Sequence, residues 1–219
     1  MVGAATTENC VQGSCRRILS VPWPRCQRVI CLVCHQLTPG RVCSTCRGSL
    51  RPAPERILPG GLRVVASYCH EAAARDLIHL LKYRGVPDFA RHVAGRLAAR
   101  LPPLPLVPVP RALSRRLRYG VDPSRILAEA LSAHLGVPVL DILRPRMHVA
   151  RRAGRNRSVG PPEFQARRSI HFPVVLVDDV VTTGSTLLAA ARALGREWVT
   201  MAVVANSAPV PSLSVRDSP

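Results

Sequence analysis

Four cysteines near the start of the chain have the spacing of a metal site. Cys31 and Cys34 form one C-x-x-C pair, and after eight residues Cys43 and Cys46 form a second. Each pair places two thiolates on one side of a tight turn, and two such pairs complete a tetrahedral sulfur site that suits zinc. Because four protein ligands leave no open position, we predict a structural zinc ribbon rather than a catalytic centre. His35 lies between the pairs and is an alternative ligand, although a solvent-exposed loop histidine is the preferred interpretation.

A second group of polar side chains follows the continuous apolar run at residues 174–177. Asp178 and Asp179 come directly after it, and a loop rich in hydroxyls then opens a helix. Backbone N–H groups and hydroxyls at a helix N-terminus form a phosphate site, and a glycine lets the backbone approach closely. The carboxylates cannot also hold phosphate; they suit sugar hydroxyls, or a hard cation bridged through water. The pattern predicts a ribose 5-phosphate site whose phosphate lies at Thr182, Thr183, Gly184, Ser185 and Thr186.

These groups need a scaffold, and the chain beyond residue 61 alternates between strand and helix patterns. The expected strands are residues 62–69, 104–110, 138–140, 174–177 and 198–205, and the expected helices are 71–83, 88–101, 122–135 and 185–194. Such alternation is typical of an α/β fold with a parallel sheet, right-handed crossovers and helices on both faces. Ligands in these sheets bind beyond the carboxyl ends of the strands, where the acid pair and its loop are expected.

Proline, glycine and cysteine patterns divide the chain into five predicted parts. Residues 1–28 are expected to be a disordered leader, 29–50 the zinc ribbon, 51–61 a linker, 62–206 the α/β domain and 207–219 a tail. An export signal is not recognisable in the leader, so we expect a cytoplasmic, reducing setting in which the cysteines do not form a disulfide framework.

The composition excludes several classes of protein. The 31 Lys+Arg and 13 Asp+Glu residues give a net charge of +18, which favours contact with phosphate and nucleic acid but says little about specific binding. Lys82 is the only lysine and follows a leucine, so a Walker A loop is excluded, and a G-x-G-x-x-G motif is also absent. The apolar runs are too short to span a membrane. Lys82 itself has two equally supported interpretations: contact with an anion, or favourable placement at a helix C-terminus.

The acid pair and its loop look like the PRPP-binding motif of type I phosphoribosyltransferases, and the whole chain resembles the ComF family of competence-associated proteins. The resemblance covers about residues 30–206 and includes the cysteine pairs. It also includes the segment at 81–85, the strand end at 107–110 and the basic segment at 115–120. It implies a type I phosphoribosyltransferase-like sheet with a small N-terminal zinc ribbon.

The resemblance also implies a role for each part of the site. Residues 182–186 would hold the 5-phosphate of PRPP, and Asp178 and Asp179 would be catalytic residues facing the ribose hydroxyls. Mg²⁺ bound with PRPP would bridge the pyrophosphate, and residues 144–157 would take the place of the loop that closes over the substrate. The pyrophosphate would be bordered by Val109, Pro110 and Arg111.

Two elements usual in the family are changed in this sequence. Val121, Asp122 and Pro123 stand where Phe-Asn-Gln usually follows Gly120, and arginine replaces glutamine in the predicted closing loop. The phosphate end is therefore intact while the acceptor end differs. One hypothesis is an enzyme that transfers ribose 5-phosphate from PRPP to a nitrogenous acceptor, and retained PRPP binding without transfer is compatible with the same changes.

The alternative is a module without catalytic activity that senses PRPP or a nucleotide, or that binds single-stranded DNA in the uptake machinery implied by the family name. The positive charge favours contact with a nucleic-acid backbone, whereas an aromatic content of 4% argues against base-stacking platforms. Competence proteins are further candidate partners, and an oligomer is compatible with the resemblance.

Overall fold

The structure is a computed structural model that describes residues 29–84, 87–111, 120–146 and 163–208. The predicted leader and residues 209–219 of the predicted tail lie outside the described residues. So do residues 147–157 of the segment expected to close over PRPP.

The cysteine segment forms a small module at the start of the described chain. Strand β1 (Val29–Ile30) pairs antiparallel with β2 (Leu37–Thr38), and helix α1 (Ser44–Gly48) follows. Leu50 is buried in the main hydrophobic core, and partly buried Leu32 and Val42 pack against that core. The module therefore rests on the rest of the protein through apolar contacts.

A five-stranded sheet lies at the centre of the described residues. Its strands, in spatial order, are β3 (Arg56–Leu58), β4 (Leu62–Cys69), β9 (Val199–Ser207), β8 (Val174–Val181) and β5 (Leu106–Pro108). The pairs from β4 to β5 are parallel, whereas β3 is antiparallel to β4. The apolar run of β8 is buried from both faces, as is typical of a central parallel strand.

Helices cover both faces of this sheet. The four that follow α1 are α2 (Ala72–Arg84), α3 (Pro87–Leu97), α4 (Pro123–Leu135) and α5 (Ser185–Leu194). Helices α2, α3 and α4 share one apolar cluster with Val175 and Val177, and α5 shares another with Val174 and Leu176. Successive residues of β8 thus enter opposite layers, as strand geometry requires. The predicted fold class, a mostly parallel sheet flanked by helices with a cysteine cluster before it, is confirmed.

The segment expected to be a linker contains the edge of the sheet. Within residues 51–61, Arg56 pairs with Val64 and Leu58 with Leu62. Gly60 and Gly61 have positive φ values of 77° and 75°, and they form the tight turn between β3 and β4. The Pro-Gly-Gly sequence marked this turn, but a three-residue strand is too short to show an alternating pattern.

Strand β8 is longer than its apolar run indicated. The sequence predicted a strand that ends before the two aspartates, whereas β8 continues to Val181 because β9 keeps pairing with it. Two further short strands were not predicted: β6 (Leu143–Pro145) and β7 (Phe164–Ala166), which pair antiparallel. In the described residues, no helix is both long and apolar enough to cross a membrane.

Candidate functional site

The acid pair lies in a notch between two strands that end at different heights. Strand β5 pairs with β8 only as far as Val177, and the backbone N–H of Val109 makes a last 2.8 Å hydrogen bond to the carbonyl of Val177. On the other side, β9 pairs with β8 through Val181. The β5-facing edge of Asp178 and Asp179 is thus not paired with β5. This is the position at which open α/β sheets bind ligands.

Asp178 is buried in the notch and is held by two donors. Its Oδ1 accepts hydrogen bonds from the Ser124 hydroxyl at 2.9 Å and from the backbone N–H of Asp179 at 2.8 Å. Burial, followed by the neighbouring charge of Asp179, raises the pKa of Asp178 to about 7. The neutral form of this carboxyl group is therefore more favoured than in an ordinary aspartate. A carboxyl group so placed can accept hydrogen bonds from a neutral hydroxyl.

Asp179 is paired with the ammonium group of Lys82. The distance between Lys82 Nζ and Asp179 Oδ1 is 3.2 Å, and the two side chains are 21% and 12% exposed. Helix α2 supplies the lysine from its last turn, next to the fully buried Leu81. The carbonyl of Lys82 accepts a 3.0 Å hydrogen bond from the Arg111 guanidinium, which fixes the end of the helix. Lys82 therefore meets both interpretations, since it contacts an anionic side chain and lies in the last turn of α2.

The hydroxyl loop connects the acid pair to α5. Thr182, Thr183 and Ser185 are exposed, and the Thr183 hydroxyl donates to the Ser185 hydroxyl at 3.2 Å. The first turn of α5, which the structure describes in full, has no acidic side chain. Its positive end and the hydroxyls are therefore accessible to an anion.

Gly184 is required by two features of this loop. Its φ is +85°, and a Cβ built on it would lie 2.5 Å from Leu58 Cδ1 of the edge strand. A side chain at this position would therefore be strained by both the backbone and the neighbour. Arg56, on the same edge strand, donates to the carbonyl of Thr182 at 2.8 Å. Strand β3, which the sequence did not predict, thus contacts the loop through Arg56 and Leu58.

The residues expected to border pyrophosphate adjoin the notch but have other contacts. Val109 is buried, and Pro110 and Arg111 are half-buried. The Arg111 guanidinium donates to the Lys82 carbonyl and, at 3.5 Å, to the Val121 carbonyl. It thereby links the end of α2 to the segment that enters α4. A contact between Arg111 and pyrophosphate stays a prediction.

Two further polar residues lie at the same end of the sheet and carried no sequence signal. His70 follows β4, and its backbone N–H donates to the Ser207 carbonyl at 2.8 Å. Burial, followed by the charge of Lys82, lowers the pKa of the His70 ring. Asn206 is fully buried, and its amide donates to the Ala74 carbonyl at 2.8 Å. The rule that strand ends converge was the one signal that could have placed them near the acid pair.

The four cysteines meet as their spacing predicts. Their sulfur atoms all lie within 4.8 Å of one another, and Cys34 and Cys43 are 3.7 Å apart. Zinc–sulfur bonds of about 2.3 Å place tetrahedral sulfurs about 3.8 Å apart, so the cluster fits zinc. His35 is exposed and lies outside the cluster within the described residues. The cluster is thus able to bind a metal, and zinc as that metal stays a prediction.

Local backbone groups hold the thiols. Cys43 is the N-cap of α1, and its sulfur accepts from the Cys46 N–H at 3.3 Å, so the second pair opens a helix rather than forming a simple turn. Burial opposes ionisation of Cys31, but the backbone N–H groups around its sulfur outweigh burial and lower its pKa to about 6. Burial and the neighbouring cysteines raise the pKa of Cys46 to about 12.

Comparisons with known proteins give little beyond this geometry. No protein-family model matches the chain, and no curated protein matches it. Among solved structures, a purine phosphoribosyltransferase from Pyrococcus horikoshii is similar, with 17% identity over 57% of this chain and 82% of that chain. The TM-score is 0.30, so the fold assignment rests on the strand order and the helices rather than on this similarity.

Proposed function

We propose that the notch and the hydroxyl loop bind PRPP, as expected for a ComF-like phosphoribosyltransferase-type protein. The observation that supports this most is the continuity of the two parts: a buried acid pair and an exposed hydroxyl loop at a helix N-terminus lie on one strand and its connection. Residues 182–186 would hold the 5-phosphate through backbone N–H groups and hydroxyls. Asp178 and Asp179 would accept hydrogen bonds from the ribose hydroxyls.

The proposed reaction is transfer of ribose 5-phosphate to a nitrogenous acceptor. The acceptor nitrogen forms a bond to C1 of the ribose, while the bond from C1 to the pyrophosphate oxygen breaks and pyrophosphate leaves. Positive charge develops on the ribose during this step, and negative charge develops on the leaving group. Arginine and the Mg²⁺ carried by PRPP would stabilise the charge of the leaving group. Val109, Pro110 and Arg111 would border the leaving group.

The contacts of the acid pair do not favour Mg²⁺ bound directly by both carboxylates. Lys82 Nζ lies at Oδ1 of Asp179, and two donors already contact Oδ1 of Asp178. We therefore treat Mg²⁺ as part of the Mg²⁺–PRPP substrate, carried on its diphosphate. The four cysteines, which fit zinc, would hold a closed structural ion that stabilises the N-terminal module.

A second candidate function is binding without transfer. It is favoured by the contacts of Arg111, whose guanidinium is held by two backbone carbonyls, and by Val121 and Pro123 at the changed acceptor end. A role in competence, with single-stranded DNA as the ligand, rests on the resemblance and on the net charge of +18.

Calorimetric titration of zinc-replete protein with Mg²⁺–PRPP tests the proposal. We expect micromolar binding that is lost in the Asp178→Ala, Asp179→Ala double variant. Asp141→Ala is the matched control, because Asp141 is exposed and pairs with Arg125 rather than with a residue of the acid pair. Absence of binding, or equal binding by the double variant, would reject the PRPP site.

Release of pyrophosphate with a panel of nitrogenous bases then distinguishes transfer from binding alone. The same double variant distinguishes the DNA hypothesis from the PRPP hypothesis. Removal of two negative charges should leave DNA binding unchanged or make it stronger.

A further inference from the structure

Lys82 is the only lysine among the 31 Lys and Arg residues of the chain, and its side chain contacts the acid pair. The general preference for arginine gives no reason for this exception. Arginine presents a planar fork of donors, whereas lysine presents a compact point charge on a flexible stem. A lysine at this position therefore indicates a need for a small cation next to Asp179.

Lys82 lies in a less exposed ion pair than Arg51 does. The neighbouring Leu81 is fully buried, and the Arg111 guanidinium donates a hydrogen bond to the carbonyl of Lys82. By contrast, Arg51 and Glu71 form a 3.0 Å pair with side chains 73% and 44% exposed. A buried ion pair on a fixed helix keeps its geometry, whereas an exposed pair is weakened by water and salt.

The ammonium group lies next to an oxygen that a directly bound metal ion would use. A divalent cation bound by the pair would be coordinated by carboxylate oxygens, and Asp179 Oδ1 is already 3.2 Å from Nζ. Bringing a second cation to that oxygen would place like charges within a few ångströms in a mostly buried site. A neutral hydroxyl meets no such repulsion.

We propose that Lys82 is the resident cation of the acid pair: its ammonium excludes a divalent metal ion and keeps both carboxylates for the vicinal hydroxyls of a sugar. Lys82 is thus a specificity-determining residue that makes the pair a diol site rather than a metal site. The use of the pair for a diol rests on the proposed function. The exclusion of the metal rests on the Lys82–Asp179 contact alone.

Titration of zinc-replete protein with Mn²⁺ tests the exclusion of the metal without any sugar. Bound Mn²⁺ is measured as the loss of the electron paramagnetic resonance signal of the free ion. The buffer is freed of metal on a chelating resin so that the cysteine site keeps its zinc. We expect no Mn²⁺ site at the pair in the wild type. Lys82→Gln should gain one site, with a dissociation constant at least tenfold below any wild-type value, and the added change Asp179→Asn should remove it.

Lys82→Arg is the matched control, because it keeps the positive charge and should not gain the site. Zinc content and thermal unfolding establish that each variant is folded. The proposal is overturned if Lys82→Gln binds Mn²⁺ no better than the wild type. It is also overturned if the gained site survives Asp179→Asn, since that site would then lie elsewhere.

A second titration, with ribose 5-phosphate in the same metal-free buffer, addresses the sugar. This ligand has the phosphate and the hydroxyls but no diphosphate to carry Mg²⁺. We expect it to bind the wild type without any divalent ion. If it does not bind while the Mn²⁺ results are as expected, the proposed phosphosugar site fails and the exclusion of the metal stands.

Discussion

The cysteine module and the acid-pair notch are built in opposite ways. The module takes its four sulfurs from residues 31–46 and holds them with hydrogen bonds between near neighbours. The notch joins Ser124 to Asp178, 54 residues apart, and its loop depends on Arg56, 126 residues before Thr182. The first site is assembled from local contacts within a short segment, whereas the second depends on the sheet. Changes that remove either support should therefore affect the two regions differently.

The largest expected effect is on the module. Cys46→Ser removes a buried ligand, and since structural zinc contributes on the order of 10 kcal/mol, the module should lose both its ion and its fold. Zinc released on denaturation should fall from about one per chain to near zero. Cys69→Ser is the control, because Cys69 ends β4 outside the cluster. Unchanged zinc in Cys46→Ser would contradict the four-sulfur site.

The next effect concerns the hydroxyl loop. Gly184→Ala should lower the free energy of unfolding by about 3 kcal/mol, because a positive φ and a close contact with Leu58 act together. Gly136→Ala is matched in φ, at +68°, but has open space around the added Cβ, so it should cost only about 1 kcal/mol. Urea unfolding measures both. Equal costs would show that the edge strand does not support the loop.

A smaller effect follows from the pKa of Asp178. Because folding raises this pKa from 3.8 to about 7, the folded state binds the proton more tightly than the unfolded state. This group therefore stabilises the protein at low pH relative to high pH, and the contribution is lost as pH rises from about 4 to about 7. Asp178→Asn has no such proton, so its stability relative to wild type should increase by about 1–2 kcal/mol between pH 5.5 and pH 8.

Urea unfolding of zinc-replete wild type and Asp178→Asn at both pH values checks the sign. A relative stability that is the same at pH 5.5 and pH 8 would mean that Asp178 is ionised throughout this range in the folded protein.

The smallest expected effect is at the contact between the cysteine module and helix α3. Arg41 of the module lies 3.1 Å from Asp88 of α3, with side chains 60% and 26% exposed. Arg41→Gln should therefore cost less than about 1 kcal/mol, with the difference shrinking at high salt. Urea unfolding at low and high salt measures it. A larger loss of unfolding free energy that persists at high salt would contradict the assignment of this contact as a weak surface ion pair.

The sequence predicted what depends on local pattern. The cysteine spacing, the hydroxyl loop and α5 at residues 185–194 are all local, and α4 begins at the predicted proline and ends before Gly136. The parallel sheet followed from the alternation of strands and helices. The edge strand β3 was missed because three residues do not form a pattern. The prediction for β8 was too short because the last pairs of that strand depend on β9.

The partners of the acid pair could not be predicted, because they depend on strand order. Lys82 and Ser124 are separated from Asp179 and Asp178 by large parts of the chain, and neither has a spacing signal. Only the sheet places the end of α2 and the start of α4 beside β8. The roles of Asp178, Asp179 and residues 182–186 in PRPP binding stay predictions.

The single lysine has a practical consequence for proteolysis. A protease that cleaves after lysine has one target bond in the whole chain, between Lys82 and Tyr83. That bond lies in the last turn of α2, with the lysine side chain on Asp179 and its carbonyl on Arg111. Cleavage requires this turn to open locally, and its rate follows the open population when reclosing is fast. One cut, separating residues 1–82 from 83–219, therefore measures how often this corner of the protein opens and how far a bound ligand keeps it closed.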